Sequence, residues 1–494
     1  MLLFCLSCLI DYNNTDMDKK IFKNYIYNVL YQMVRVLLPF ILVPYTYAHI
    51  TPKALGIYDF AGSIMQWFIL FGILGINVYG NREIAKVRDD KELLNKTFFE
   101  ILYMQLVNMI IATIFYFLYI QFTIKENLLM YQLTGLTMLA TMVDITWFFY
   151  GIEDFKKVSI RNTVVKIIGV SLIMLLCKKP EDLWIYILIN VCAEFFGQLV
   201  MFLDLKKYIS FKKVSLKDAY LNHFKATFQL FVPTIAISVY TMLDSTMIGY
   251  LYNEEHVSYY KSSMNIIKMF LYFITSIGAV VLPRVTNFYY NDEDGATKAK
   301  NLIHTTMKIV LLLAFPMCLG MMAISNSFIS WYLPTTPIIS TLIIIGCPII
   351  ILISMSNVTG TQYMVPLGMY KEYSSSVIAG ASVNLIVNLF LIPKYGAYGA
   401  VIGSLFAELT VTAVQFYLIR KSVTLSFKNK SYLIYLLASI IMASIILYMT
   451  TILEVSKLNT LLEILVGVII YFGILLICKE EILFNIINKY LKRS

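Results

Sequence analysis

The sequence predicts an all-α integral membrane protein of about fourteen transmembrane helices: two pseudo-symmetric six-helix bundles around a central cavity, with two more helices at the C-terminus. Three observations predict it. Apolar stretches of bilayer length recur from Tyr25 almost to the end, and a hydrocarbon core of roughly 30 Å takes about 20 helical residues to cross. Hydrophobic residues make up 59% of the 494 and mean hydropathy is +0.73, so the bilayer is the solvent. Basic residues, finally, gather in alternate connecting segments.

Taken in order, residues 1–25 read as a cytoplasmic N-terminus. Met1–Ile10 is apolar but too short to span, and it lacks the basic region and small-residue cleavage site of a signal peptide. Met17-Asp18-Lys19-Lys20 supplies a basic approach to the first span, so translation is expected to start at Met17, leaving 1–16 outside the natural chain. A first bundle, 26–204, holds spans at 26–48, 57–80, 98–120, 128–150, 160–177 and 183–204. A cytoplasmic linker, 205–223, follows. The second bundle, 224–419, holds spans at 224–249, 260–283, 302–325, 337–358, 374–392 and 398–419. The region 420–494 adds spans at 431–452 and 459–477 and a cytoplasmic tail.

A faint repeat supports two bundles. Tyr58 opens the second span and Arg82 follows 24 residues later; Tyr260 opens the eighth and Arg284 follows 24 later. Acidic residues come next in both, Asp89-Asp90 and Asp292-Glu293-Asp294, and Pro39 and Pro233 occupy comparable places in the preceding spans. Six spans separate the copies, so the repeat is parallel, about an axis along the membrane normal.

With the N-terminus inside, 28 Lys and Arg fall on the cytoplasmic side and seven on the outer side, Arg161 and Lys261 being counted with the loops they adjoin. That is the positive-inside bias, and it places both termini in the cytoplasm of a cell membrane. The net charge of +10 is therefore topological, and a nucleic-acid partner is excluded as a reading. Seven dispersed cysteines and four scattered histidines predict no metal site, and no GxxxxGK[ST] loop is present to bind nucleotide. No cofactor is expected.

Charges stranded inside spans cost roughly 2.5–3.5 kcal/mol each at a helix centre facing lipid, so they should face protein or water. Arg35 lies near the middle of the first span and Lys268 about two turns below the outer end of the eighth. Both are candidates for binding an anion; the alternative is a buried ion pair or a carbonyl contact. Arg82 and Arg284 sit at cytoplasmic span ends, where they anchor the helices or gather an anionic headgroup. Asp244 and Glu408 are candidates for H⁺ or Na⁺ coupling, against simple neutralisation of a nearby cation. Lys166 and Asp144 share the inner half of the bilayer and could pair.

Several segments resemble the polysaccharide-transporter (Wzx-type) oligosaccharide flippases of the MATE/MOP superfamily. The first span carries Asn28, Tyr31-Gln32, Leu38-Pro39 and Pro44-Tyr45; Phe71-Gly72-Ile73-Leu74-Gly75 and Tyr79-Gly80-Asn81-Arg82-Glu83 end the second. Asp144-Ile145-Thr146-Trp147 with Arg161-Asn162, then Pro233, Tyr240 and Asp244, Lys268 and Leu282-Pro283-Arg284, and finally Asn357, Gly360, Gln362-Tyr363, Asn384, Asn388, Gly399 and Glu408 continue the layout. The resemblance covers about 20–420. Ala48, Ser245 and Lys261 depart from it at the outer side, so no particular cargo carries over.

What the resemblance implies is a flippase that moves undecaprenyl-pyrophosphate-linked oligosaccharide repeat units from the inner to the outer leaflet by alternating access, for capsule, O-antigen or exopolysaccharide synthesis. Arg35, Lys268, Arg284 and Arg82 would meet the pyrophosphate; Asn357, Gln362, Asn384 and Asn388 would meet sugar hydroxyls or bond helix to helix. Partners implied are the lipid-linked oligosaccharide, membrane lipids, and the polymerase and glycosyltransferases of the same route. A multidrug exporter or lipid II flippase shares the fold. A membrane polymerase would need a large outer loop, and the longest predicted here, around Leu251–Tyr259, is about ten residues.

Overall fold

The computed structural model describes residues 38–484 apart from 213, 292–293 and 421–429. Arg35, the expected start at Met17 and the segment Met1–Ile10 lie outside the described residues. Among the described residues eleven helices are long and apolar enough to cross a bilayer, and none forms a strand. The chain divides into two compact units between Ile235 and Ala236.

The first unit opens with α1, described over 38–49. It continues through α2 (Pro52–Ile73), α3 (Ile76–Val87), α4 (Lys91–Thr123), α5 (Leu128–Gly135), α6 (Thr137–Met142), α7 (Thr146–Gly151), α8 (Phe155–Leu176) and α9 (Leu183–Leu205). It ends inside α10 (Leu216–Leu251). Two expected single spans are broken. The second stops at Leu74-Gly75, where φ is +48° and +78°. Gly75 is required there: a Cβ would stand 3.2 Å from the Phe231 backbone nitrogen, and positive φ strains any side chain. The fourth span is interrupted around 143–145. Carbonyls freed in a membrane span need partners, and fully buried Gln105 supplies them: its Nε2 donates to the oxygens of Thr141, Met142 and Asp144 at 2.9–3.2 Å. Its Oε1 accepts from Trp147 Nε1 at 2.9 Å, in a core of Phe98, Trp147, Phe148 and Phe149.

The second unit contains α11 (Glu254–Asn291), α12 (Gly295–Tyr332), α13 (Ile338–Gly346), α14 (Pro348–Ser356), α15 (Tyr370–Tyr395), α16 (Ala397–Ile419), α17 (Lys430–Ile452) and α18 (Lys457–Ile477). The outer connection expected to be about ten residues is shorter, because α10 and α11 leave only residues 252–253 between them. The tenth expected span is composite: α13 and α14 lead into a π-helical turn, Asn357–Met364. Lys308, one and a half turns inside the ninth expected span, reaches Glu481 at 2.8 Å.

The hairpin of α15 and α16 turns at Gly396, with φ +54°. One turn on, a Cβ at Gly399 would meet the Leu391 carbonyl carbon at 2.5 Å. Backbone cannot swing away as a side chain can, so this close approach needs glycine. Gly399→Leu should destabilise the protein by about 1–3 kcal/mol through overpacking, read as a lower unfolding midpoint in detergent; an unchanged midpoint would show that the hairpin can open there.

Candidate functional site

In the second unit four helices converge on one carboxylate. Asp244 on α10 is 3% exposed, and an ionised buried carboxylate must fill its acceptor sites. Asn388 on α15 donates from Nδ2 to Oδ1 at 2.6 Å, Ser404 on α16 donates to Oδ2 at 2.7 Å, and the Tyr260 hydroxyl on α11 donates to Oδ2 as well. Asn388 Nδ2 also reaches Asn384 Oδ1 at 3.1 Å. The close fit of α15 and α16 that brings these groups together depends on Gly403, where a Cβ would sit 2.0 Å from Asn388 Oδ1.

Two further charges belong to this cluster. Lys268 lies on α11 two turns beyond Tyr260, about 80° round the helix, and Glu408 on the Ser404 face of α16, four residues on. Asp244 and Glu408 both act electrostatically on Lys268. Two carboxylates and one ammonium leave a net charge of −1 when all are ionised. The Asn388 Oδ1 and Asn384 Nδ2 atoms are buried without hydrogen-bond partners, so the network around the carboxylate holds one acceptor and one donor in reserve. An oxygen-rich cluster of this charge can hold one proton or one small hard cation.

A second polar group surrounds the π-helical turn. Gln362 Nε2 donates to Asn357 Oδ1 at 2.8 Å, and Gln362 Oε1 is buried and unpartnered. A Cβ at Gly278 would lie 2.6 Å from that amide nitrogen. Thr359 donates to Gln415 Oε1 at 2.6 Å, and Gln415 Nε2 to Ser376 at 3.2 Å. π-helical turns concentrate at functional sites.

The other expected residues are placed separately. Arg284 is exposed on α11. Arg82 is exposed on α3, its Nη2 3.0 Å from Glu83 and its guanidinium 5.7 Å from the Tyr79 ring centroid. Lys166 and Asp144 of the first unit both act electrostatically on Glu194. The sequence reading missed Ser404, although its i,i+4 spacing to Glu408 matches that of Asn384 and Asn388. It also missed a buried triad in the first unit: Tyr79 OH lies 2.7 Å from His223 Nδ1, and His223 Nε2 lies 2.8 Å from Glu100. No local motif joins residues 144 and 123 positions apart.

Known proteins agree with this architecture. The chain is 23% identical over 411 residues to the "Putative O-antigen transporter" of Escherichia coli (strain K12), covering 81% of this chain and 97% of that one. Its fold matches the solved structure of lipid II flippase MurJ, inward closed conformation, at TM-score 0.72 and 16% identity, over 94% of this chain and all of that one. It also matches the inward-facing structure of a multidrug resistance MATE family transporter of the MOP superfamily, at TM-score 0.54 and 13% identity, over 80% and 99%. A family model described as polysaccharide biosynthesis protein matches residues 21–288. The chain, a multi-pass helical membrane protein, belongs to that family.

Proposed function

We propose that this protein is a flippase, carrying an undecaprenyl-pyrophosphate-linked oligosaccharide from the inner to the outer leaflet of the cytoplasmic membrane for assembly of a surface polysaccharide. The observation that carries the reading is the coincidence of two facts: the Asp244 cluster is buried within a membrane bundle, and the chain aligns with nearly the whole of the relative named "Putative O-antigen transporter". A polar centre of this cost, inside a bundle of membrane-length helices, fits solute movement better than catalysis.

Alternating access of the bundles 26–204 and 224–419 supplies the path, with both termini cytoplasmic as the basic loops indicate. Arg35, Lys268, Arg82 and Arg284 provide positive charge for the pyrophosphate as it enters. Asn357 and Gln362 contact sugar hydroxyls, while Asn384 and Asn388 divide their time between sugar and Asp244. The net charge of −1 around Asp244, Glu408 and Lys268 supports reading this cluster as the coupling site: uptake of one H⁺ or Na⁺ neutralises it and biases the bundle towards one state. The polymerase and glycosyltransferases of the pathway consume and supply the cargo.

Deleting the gene should leave lipid-linked oligosaccharide on the inner leaflet, measured by its protection from an impermeant probe; normal outer-leaflet delivery without a compensating transporter would sink the assignment. Wild type should restore delivery, and Arg35→Ala should not, at equal protein in the membrane. Asp244→Asn should fold and insert normally yet lose at least tenfold in flipping rate. Asp244→Leu, which strips an acceptor from three donors, should also lower the unfolding midpoint, each orphaned buried group costing about 1–3 kcal/mol. Full activity of Asp244→Asn would remove the carboxylate from coupling while leaving the flippase reading intact.

A further inference from the structure

In the first unit α8 and α9 enclose a groove of about 860 Å³. Its floor is made of small residues: a Cβ at Gly197 would meet Val165 at 2.9 Å and Arg161 Cδ at 3.4 Å, and Ala193 lies close to Gly169. Its walls are exposed aliphatic and aromatic side chains, Ile160, Val164 and Ile168 on α8 and Phe196 and Val200 on α9. One end is charged. Lys156, Lys157 and Arg161 line it together with Asp154 and Asp204, and Lys207 adds a fourth cation, 2.6 Å from Asp204. Arg161 also donates to Thr146 Oγ1 at 3.2 Å and acts on Glu194; the three lysines against two carboxylates still leave that end positive.

Three physical features identify the occupant. The apolar stripe Ile160, Val164, Ile168 and Leu172 is about 18 Å long at 1.5 Å per residue, close to one leaflet of a hydrocarbon core of about 30 Å. The charged end is the one that the basic-loop count puts at the cytoplasmic face. The groove also faces away from the polar interior: Lys166 and Glu194 stand about 200° round their helices from Ile168 and Phe196. Apolar contact alone gives no preference over bulk lipid, whose tails are as apolar as these walls. Selectivity must come from the cationic end, and basic pockets between spans at the cytoplasmic side suit anionic headgroups.

We propose that this groove is a binding site for one anionic phospholipid of the cytoplasmic leaflet, its acyl chain between α8 and α9 and its phosphate at Lys156, Lys157 and Arg161. Lys157 is the adjustable member. Its ammonium lies 3.0 Å from the Tyr208 hydroxyl, 3.4 Å from Asp154 and 3.7 Å from Asp204, so a phosphate competes for a cation already held in place. Lys156 is exposed and supplies the second contact.

The test uses the purified full chain and native mass spectrometry with added phosphatidylglycerol or phosphatidylcholine. Wild type should retain one phosphatidylglycerol in preference to phosphatidylcholine. Lys156→Ala with Lys157→Ala should weaken that retention tenfold or more, at roughly fivefold per cation, while the double arginine variant keeps it. Ile168→Trp fills the groove without touching charge or the buried core, and should lose the bound lipid while eluting as wild type. Equal retention of both lipids by wild type, or retention unchanged in both the alanine and tryptophan variants, would overturn the proposal. So would displacement of phosphatidylglycerol by equimolar undecaprenyl phosphate, which would make the groove a seat for the cargo's carrier instead. None of these outcomes depends on the flipping assay.

Discussion

The interior of a bilayer offers no water to a carboxylate, and the second unit is organised around that fact at Asp244. Its two oxygens are met by an amide, a hydroxyl and a phenol from three other helices. Removing the charge would free those helices from a common point; keeping it unpaired would cost more than the contacts around it return. The glycines of the α15–α16 hairpin follow from the same need, since Asn388 reaches Asp244 only where Gly403 and Gly399 let two backbones close up. Lys268 and Glu408 then set the charge of the cluster as a whole.

The same rule operates where backbone is exposed by a break. Gln105 closes the interrupted fourth span with one amide group serving three carbonyls. The π-helical turn at Asn357–Met364 is flanked by the amides of Asn357, Gln362 and Gln415. At both of these irregularities a buried Gln lies beside the break. These residues stabilise shape at the places where a helix alone could not.

Hydropathy made the helices legible because length and apolarity are local properties: helices occupy the places of the second to fourteenth expected spans. Breaks within spans were not legible. Leu74-Gly75 reads as apolar sequence, and only the approach of Phe231 explains why the chain turns there. Candidate residues followed the same division. Asp244, Lys268, Glu408, Asn384 and Asn388 could be singled out one by one, as polar groups in an apolar run. That they share one cluster required the fold, because the residues involved are up to 164 positions apart. Ser404 and His223 are ordinary residue types that pattern alone cannot promote. The groove between α8 and α9 was invisible for the opposite reason, since its walls look like any lipid-facing helix and its floor is defined by what Gly197 and Ala193 lack.

The π-helical turn has a mechanical consequence. Its hydrogen bonds run from i to i+5, so the segment carries slack relative to an α-helix. The span ends at Met364, so taking up one residue of that slack would turn its last residues, and the start of the short connection to α15, by about 100° about the helix axis. Gln362, buried with one unpartnered oxygen, sits inside the stretch that would rewind. A membrane helix cannot easily lengthen or tilt within a packed bundle, but it can turn, and here the means of turning is written into eight residues.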